Sequence, residues 1–228
     1  MGQKTCSPLK SDDPVRCVES LRLEYLCTII FFGFDIELIF FEFEIHQHTG
    51  QNQGHKGNNQ HHGVDSRALF AKLCLDGQQA GLSWLTILKK QQNFEQAFYQ
   101  FDPEKISKMG PDDVDRLMQD SGIIRNKLKI ESVIKNAKGF LAIEASQPFS
   151  DFIWQFTDGR TVINAWEDFR QAPTSTDASK AMSKALKKHG FNFVGETICY
   201  AFMQAVGMVN DHEVGCHCYE RTCELAIK

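Results

Sequence analysis

From Asp65 apolar residues recur every three or four positions almost throughout, with a less regular connection around Trp166, and that period points to helices. Leu69, Phe70, Leu73 and Cys74 repeat in this way, and so do Trp84, Leu85, Leu88, Phe94 and Phe98. Ile130, Val133, Ile134, Ala137 and Phe140 share one face of a run from Lys127 to Leu141, and Glu196 to Val206 reads as a buried helix. No apolar/polar alternation follows Val64, so the expected architecture is all-α. Capping residues agree. Asp65 or Ser66 opens the first helix, Ser83 one that runs toward Phe98, and Ser175 or Thr176 a basic helix from Asp177 to His189. Pro103 suits the first turn of a short helix ending before Gly110, and Pro111 and Asp112 begin another.

Ahead of Val64 the pattern changes. Met1 to Val15 is polar and interrupted by proline, which predicts a disordered tail and no cleavable signal sequence. Leu21 to Ile45 is rich in Phe, Ile and Leu, and Gln47 to His62 is a Gln/Asn/Gly/His tract of low complexity. Within Ile29 to Ile45, Asp35, Glu37, Glu42 and Glu44 would each cost roughly 2.5–3.5 kcal/mol at mid-bilayer. No membrane span is expected there, and a strand pair or a loosely packed apolar segment is. The chain therefore divides into a tail (1–16), an atypical N-terminal segment (17–64), a helical domain (65–205) and a C-terminal segment (206–228).

With 228 residues there is ample length for a buried core, and a formal net charge of -4 excludes generic coating of a polyanion. Any nucleic-acid surface must be a local basic patch, weakened by salt. Eight cysteines could pair, but Cys216-His217-Cys218 beside His212 has the look of metal chemistry. A reducing, intracellular setting follows.

Leu75-Asp76-Gly77-Gln78-Gln79-Ala80-Gly81-Leu82-Ser83-Trp84 sets an acid, two amides, two glycines and an indole between two helical patterns. Such a bend can embrace a flat, positively charged heterocycle, the acid in its plane and the indole on its face. It equally serves as a plain helical joint with a solvated Asp76 and a core Trp84, the commoner use of such a motif. Gly122-Ile123-Ile124-Arg125 reads as a hairpin between helices, offering backbone N–H groups and a helix N-terminus to a phosphate, with Arg125, Lys127 and Lys129 adding charge. A simple connection with solvated cations fits that pattern as well. Lys180, Lys184, Lys187 and Lys188 form a helical strip that is either phosphate-facing or merely wet. His212 and Cys216, four apart, suit two of the four positions around a tetrahedral zinc ion.

Together these stretches resemble the 3-methyladenine DNA glycosylase I family of base-excision enzymes. The likeness runs from about Val64 to Tyr219 through Asp65-Ser66-Arg67-Ala68-Leu69-Phe70, Cys74 to Trp84, Phe101-Asp102-Pro103, Asp120 to Asn126, Pro173-Thr174-Ser175-Thr176, Ser183 to Lys188, Phe193-Val194-Gly195 and Val209-Asn210-Asp211-His212. The resemblance implies a helix–hairpin–helix glycosylase fold, with a small zinc-binding region joining the two ends of the chain. It implies that Asp76, where the family has glutamate, contacts an extruded base on which Trp84 stacks, with Gly81 and Leu82 at the mouth. It assigns Gly122, Ile123, Ile124, Arg125 and Lys127 to DNA. It makes zinc structural, with Cys17, His212 and Cys216 as ligands. The fourth ligand is open among His46, His48, His61 and His62, with His217 and Cys218 as further substitutes.

The implied activity is hydrolytic, lyase-free release of 3-methyladenine from alkylated double-stranded DNA by a monomer, with no membrane partner. The family's N-terminal pocket tyrosine has no counterpart here, and Ala201 stands where relatives often carry a small hydroxyl residue. The competing expectation is accordingly a non-catalytic helix–hairpin–helix module that binds DNA without releasing a base.

Overall fold

The computed structural model describes residues 65–227, and almost all of its regular structure is helical. The helices are α1 (Ser66–Gln79), α2 (Trp84–Leu88), α3 (Gln91–Ala97), α4 (Pro103–Ile106), α5 (Pro111–Leu117), α6 (Lys127–Glu144), α7 (Phe149–Trp154), α8 (Asp177–Lys188), α9 (Glu196–Ala205) and α10 (Tyr219–Leu225). Asp65 caps α1 by accepting from the Arg67 N–H, while the Ser66 hydroxyl turns away to accept from the Ser150 N–H. Ser83 caps α2, and Thr176 rather than Ser175 caps α8. The expected single helix from Ser83 toward Phe98 is divided near Lys89 and Lys90 into α2 and α3.

α1 is the element the others surround. It packs against α2, α6, α7 and α9, and every residue from Leu73 to Gln79 is buried. A ladder of rings joins these layers. Phe70 lies 5.0 Å from Phe140, Phe140 4.9 Å from Phe149, and Phe149 5.9 Å from Phe191. Burying each such side chain contributes about 1.5–3 kcal/mol. At Gly139 the fold demands the absence of a side chain, since a Cβ there would stand 2.5 Å from the His189 carbonyl oxygen. α6 thus passes close against the C-terminal end of α8.

One local surprise is a left-handed turn at Tyr99, Gln100 and Phe101, with φ of 53°, 56° and 52°. L-residues avoid this region by roughly 1–2 kcal/mol each. The turn is held by the Arg67 guanidinium, which donates to the Gln100 carbonyl at 2.9 Å, and by burial of Phe101 beneath Phe98.

The expectation that strands are absent after Val64 needs one correction. β1 (Val162–Ile163) and β2 (Val209–Asn210) form a two-residue parallel pair. Two residues are too few to show alternation, and here one strand is exposed and the other buried. The pair fastens the C-terminal segment to the connection after α7. No helix among the described residues is long and apolar enough to cross a membrane, and Leu21 to Ile45 lies outside them.

Candidate base-binding site

The last turns of α1 and the first of α2 meet at a bend, and the charge of the site is concentrated there. Asp76 is buried, 4% exposed, on the inner face of α1. Its Oδ1 pairs with the ammonium of Lys72, one turn earlier on the same helix, and its Oδ2 has no hydrogen-bond partner. Burial pushes the Asp76 carboxyl above its ordinary range, and the charge and hydrogen bond of Lys72 pull it partly back. The same ammonium sits 4.6 Å from the centroid of the half-buried Trp84 ring. Acid and indole therefore converge on one cationic group; Asp76 is buried rather than solvated, while Trp84 packs partly against the core as a plain joint would have it.

More polar groups wait unpaired along this stretch. Gln78 Oε1, Gln79 Nε2 and Trp84 Nε1 are buried without a partner. Leaving a buried polar atom unsatisfied costs about 1–3 kcal/mol, so this run between residues 76 and 84 gathers groups able to take a polar partner.

The bend itself is pinned from α6. Lys129 donates from Nζ to the Gln78 and Ala80 carbonyls, each at 2.7 Å, while Gln78 Nε2 donates to the Lys129 carbonyl at 2.9 Å. The sequence put Lys129 beside a phosphate; the fold buries it, because it answers the carbonyls left over at the end of α1. Beyond the pin, Gly81 takes φ +75°, open to a glycine, and Leu82 stands exposed.

The hairpin forms between α5 and α6. Asp120 Oδ1 accepts from the Gly122 N–H at 2.7 Å, and the Lys90 ammonium donates to the Ser121 and Gly122 carbonyls at 2.8 and 3.2 Å. A Cβ on Gly122 would lie 2.9 Å from Asp120 Oδ1 and 3.1 Å from Asn93 Cγ, so a side chain there would push aside the carboxylate that holds the turn. Ile123 is buried and anchors the hairpin, and Ile124 packs partly against the core. Arg125 and Lys127 are exposed at the start of α6, which Asn126 caps. Lys180, Lys184, Lys187 and Lys188 all lie on the solvent side of α8, opposite the buried Met182 and Leu186.

In the C-terminal segment, His212 Nδ1 lies 3.6 Å from Cys216 Sγ, and His217 Nε2 lies 3.2 Å from Cys218 Sγ. The ligand atoms of Cys216, His217 and Cys218 are all within 4.8 Å of one another. Cys17, His46, His48, His61 and His62 lie outside the described residues. Asp211 holds the segment in place. Its carboxylate accepts from Asn164 Nδ2 at 2.7 Å, Trp166 Nε1 at 2.8 Å, the Tyr200 hydroxyl at 2.5 Å and Gln204 Nε2 at 2.7 Å. No disulfide joins the described cysteines. The buried Cys74 and Cys199 are core thiols, burial pushing Cys199 up to about 12.

Sequence reasoning missed Lys72, Lys90, Asn93 and the Asp211 hub. Lys72 left a readable signal in its opposite charge at i,i+4 from Asp76, and Asp211 lay within a stretch that carried the resemblance but was given no role.

Known proteins resemble this chain over most of its described length. The family model for methyladenine glycosylase matches residues 55–219. The DNA-3-methyladenine glycosylase of Haemophilus influenzae is 56% identical over 155 residues, covering 68% of this chain and 84% of the relative. DNA-3-methyladenine glycosylase 1 of Escherichia coli is 54% identical over 157 residues, again 68% and 84%. A crystal structure of 3-methyladenine DNA glycosylase I superimposes with a TM-score of 0.67 at 54% identity, covering 68% of this chain and 86% of that one. A variant of 3-methyladenine DNA glycosylase I solved in complex with 3-methyladenine matches with a TM-score of 0.66 at 40% identity, covering 68% and 84%.

Proposed function

Because the chain belongs to the methyladenine glycosylase family, we propose that it is a DNA-3-methyladenine glycosylase, which flips the damaged base out of alkylated double-stranded DNA and releases it by hydrolysis. The observation that carries the reading is the convergence of Asp76 and Trp84 on a single cation.

A purine methylated at N3 is itself a cation, and its N-glycosidic bond is already weakened. The Asp76 carboxylate favours that charge in the plane of the base, and the Trp84 indole favours it on the face. Normal purines are neutral and gain neither contact in full. As the C1′–N9 bond breaks, its electron pair stays with the base, which leaves neutral, and positive charge passes to the sugar. Water adds at C1′ and gives up a proton. Asp76 contributes recognition and, as the charge moves, electrostatic stabilisation. No lysine imine forms, so the strand stays intact.

The remaining parts serve the duplex. Leu82, at the exposed tip beside Gly81, is placed to fill the gap left by the flipped base. The Gly122–Arg125 hairpin and the N-terminus of α6, with Arg125 and Lys127, suit backbone phosphates, and the α8 lysines offer a second strip. One copy carries every part named, so a monomer suffices.

A structural zinc ion fits the donor chemistry of the C-terminal segment. Cys216, His217 and Cys218 bring together the nitrogen and sulfur atoms zinc prefers, His212 lies beside Cys216, and Cys17 is a further thiolate from outside the described residues. The ion would close the segment and take no part in the reaction.

The test is chromatographic identification of base released from alkylated duplex. Free 3-methyladenine is expected, reduced about 10–100-fold by Trp84→Ala through loss of stacking. Salt-sensitive duplex binding without release would replace the enzyme with a DNA-binding module.

A further inference from the structure

Resting on the glycosylase reading, we propose that Lys72 is a specificity- and turnover-determining residue whose tethered ammonium occupies the cation subsite between Asp76 and Trp84 and returns to it when the neutral product leaves. Its position satisfies the two contacts ascribed to the base. Nζ is ion-paired with the buried Asp76 carboxylate and lies 4.6 Å from the centroid of the Trp84 ring. The Lys72 side chain is 19% exposed, so it reaches the pair from the rim of the site and can swing aside without unfolding α1. Asp76 Oδ2 remains without a hydrogen-bond partner, so the ammonium answers only part of the carboxylate and leaves an acceptor for a planar donor.

This arrangement sets a threshold at entry. An incoming base must replace the ammonium on both Asp76 and Trp84, or leave a buried carboxylate unpaired. A cationic purine restores the ion pair and the ring contact, and a neutral purine restores neither in full. The threshold reverses after cleavage. When the C1′–N9 electron pair passes to the base, the positive charge leaves the subsite. The neutral product then competes poorly with a cation held four residues away on the same helix. Lys72 thus opposes binding before the reaction and assists release after it.

The test compares wild type, Lys72→Met and Lys72→Arg, each checked for folding by circular dichroism. Readouts are equilibrium binding of free 3-methyladenine, followed by Trp fluorescence, and single- and multiple-turnover base release. Lys72→Met keeps the stem and removes the charge, so 3-methyladenine should bind about tenfold tighter as the competing occupant is lost. Its multiple-turnover rate should fall relative to its single-turnover rate. Lys72→Arg keeps a cation over the indole and should stay near wild type in both. Equal or weaker binding by folded Lys72→Met would overturn the proposal and leave Lys72 a support for Asp76. Absence of base release from wild type would instead overturn the glycosylase reading, and this proposal with it.

Discussion

Replacing Lys129 with Met should loosen the bend that presents Gly81 and Leu82, at a cost that follows from two hydrogen bonds. Lys129, 5% exposed, donates from its ammonium to the Gln78 and Ala80 carbonyls at 2.7 Å each. A hydrogen bond to a charged group is worth about 1.5–3 kcal/mol, so the gross loss is about 3–6 kcal/mol. Burial opposes the ammonium and holds its pKa below the ordinary lysine value, so removing the charge returns part of that loss. Methionine nearly preserves the stem, leaving little cavity. The net destabilisation should be about 2–3 kcal/mol, or roughly 4–12 °C in Tm for a folded region of this size. Urea and thermal unfolding measure it. A depressed folded pKa also fixes the pH trend. From that pKa up to the unfolded lysine value the unfolded chain binds more protons, so wild type gains stability as pH rises, and the variant lacks this gain. Base release, assayed well below the variant's Tm, should fall as well. A change under about 0.5 kcal/mol would refute the pin, since that is the range of an unremarkable surface substitution.

Asp211→Ala strands four donors from Asn164, Trp166, Tyr200 and Gln204 and should cost about 3 kcal/mol or more in urea unfolding. Gly139→Ala forces a Cβ to within 2.5 Å of the His189 carbonyl and should destabilise by about 1–3 kcal/mol, visible as a lower Tm. Asp76 titrates above its ordinary 3.8, so the folded protein binds the extra proton between that value and its raised one; stability should decline as pH rises through the window, and Asp76→Asn should flatten the decline. Over the same window, release of the cationic base should increase as the carboxylate ionises.

The fold was largely legible because its information is local. Leu69, Phe70 and Leu73 repeat at the period of the helix they form, and Asp65, Ser83 and Thr176 each cap the helix that follows them. What stayed hidden depends on distant partners. The left-handed turn at Tyr99 to Phe101 carries no glycine to announce it, and it exists because Arg67, 33 residues away, holds the Gln100 carbonyl. The β1–β2 pair joins residues 162 and 209 over two positions, too short for any periodic signal.

The site divides along the same line, and its two lysines show why. Asp76 and Trp84 were readable as a pair because a single bend separates them. A lysine early in a helix behind a hairpin reads as a phosphate contact, yet Lys129 turns inward across 51 residues to bind the carbonyls of Gln78 and Ala80. Lys72 drew no reading from the sequence, yet it lies between the carboxylate and the indole. One lysine thus serves the backbone of this short stretch and the other its side chains. The first cannot be exchanged for a ligand without dismantling the bend. The second, at the rim, touches only the two groups a base would use, and Asp76 Oδ2 stays open beside it. If Lys72 yields its place as proposed, the same stretch holds one cation permanently and another replaceably, which suits it to the positive charge of a methylated purine.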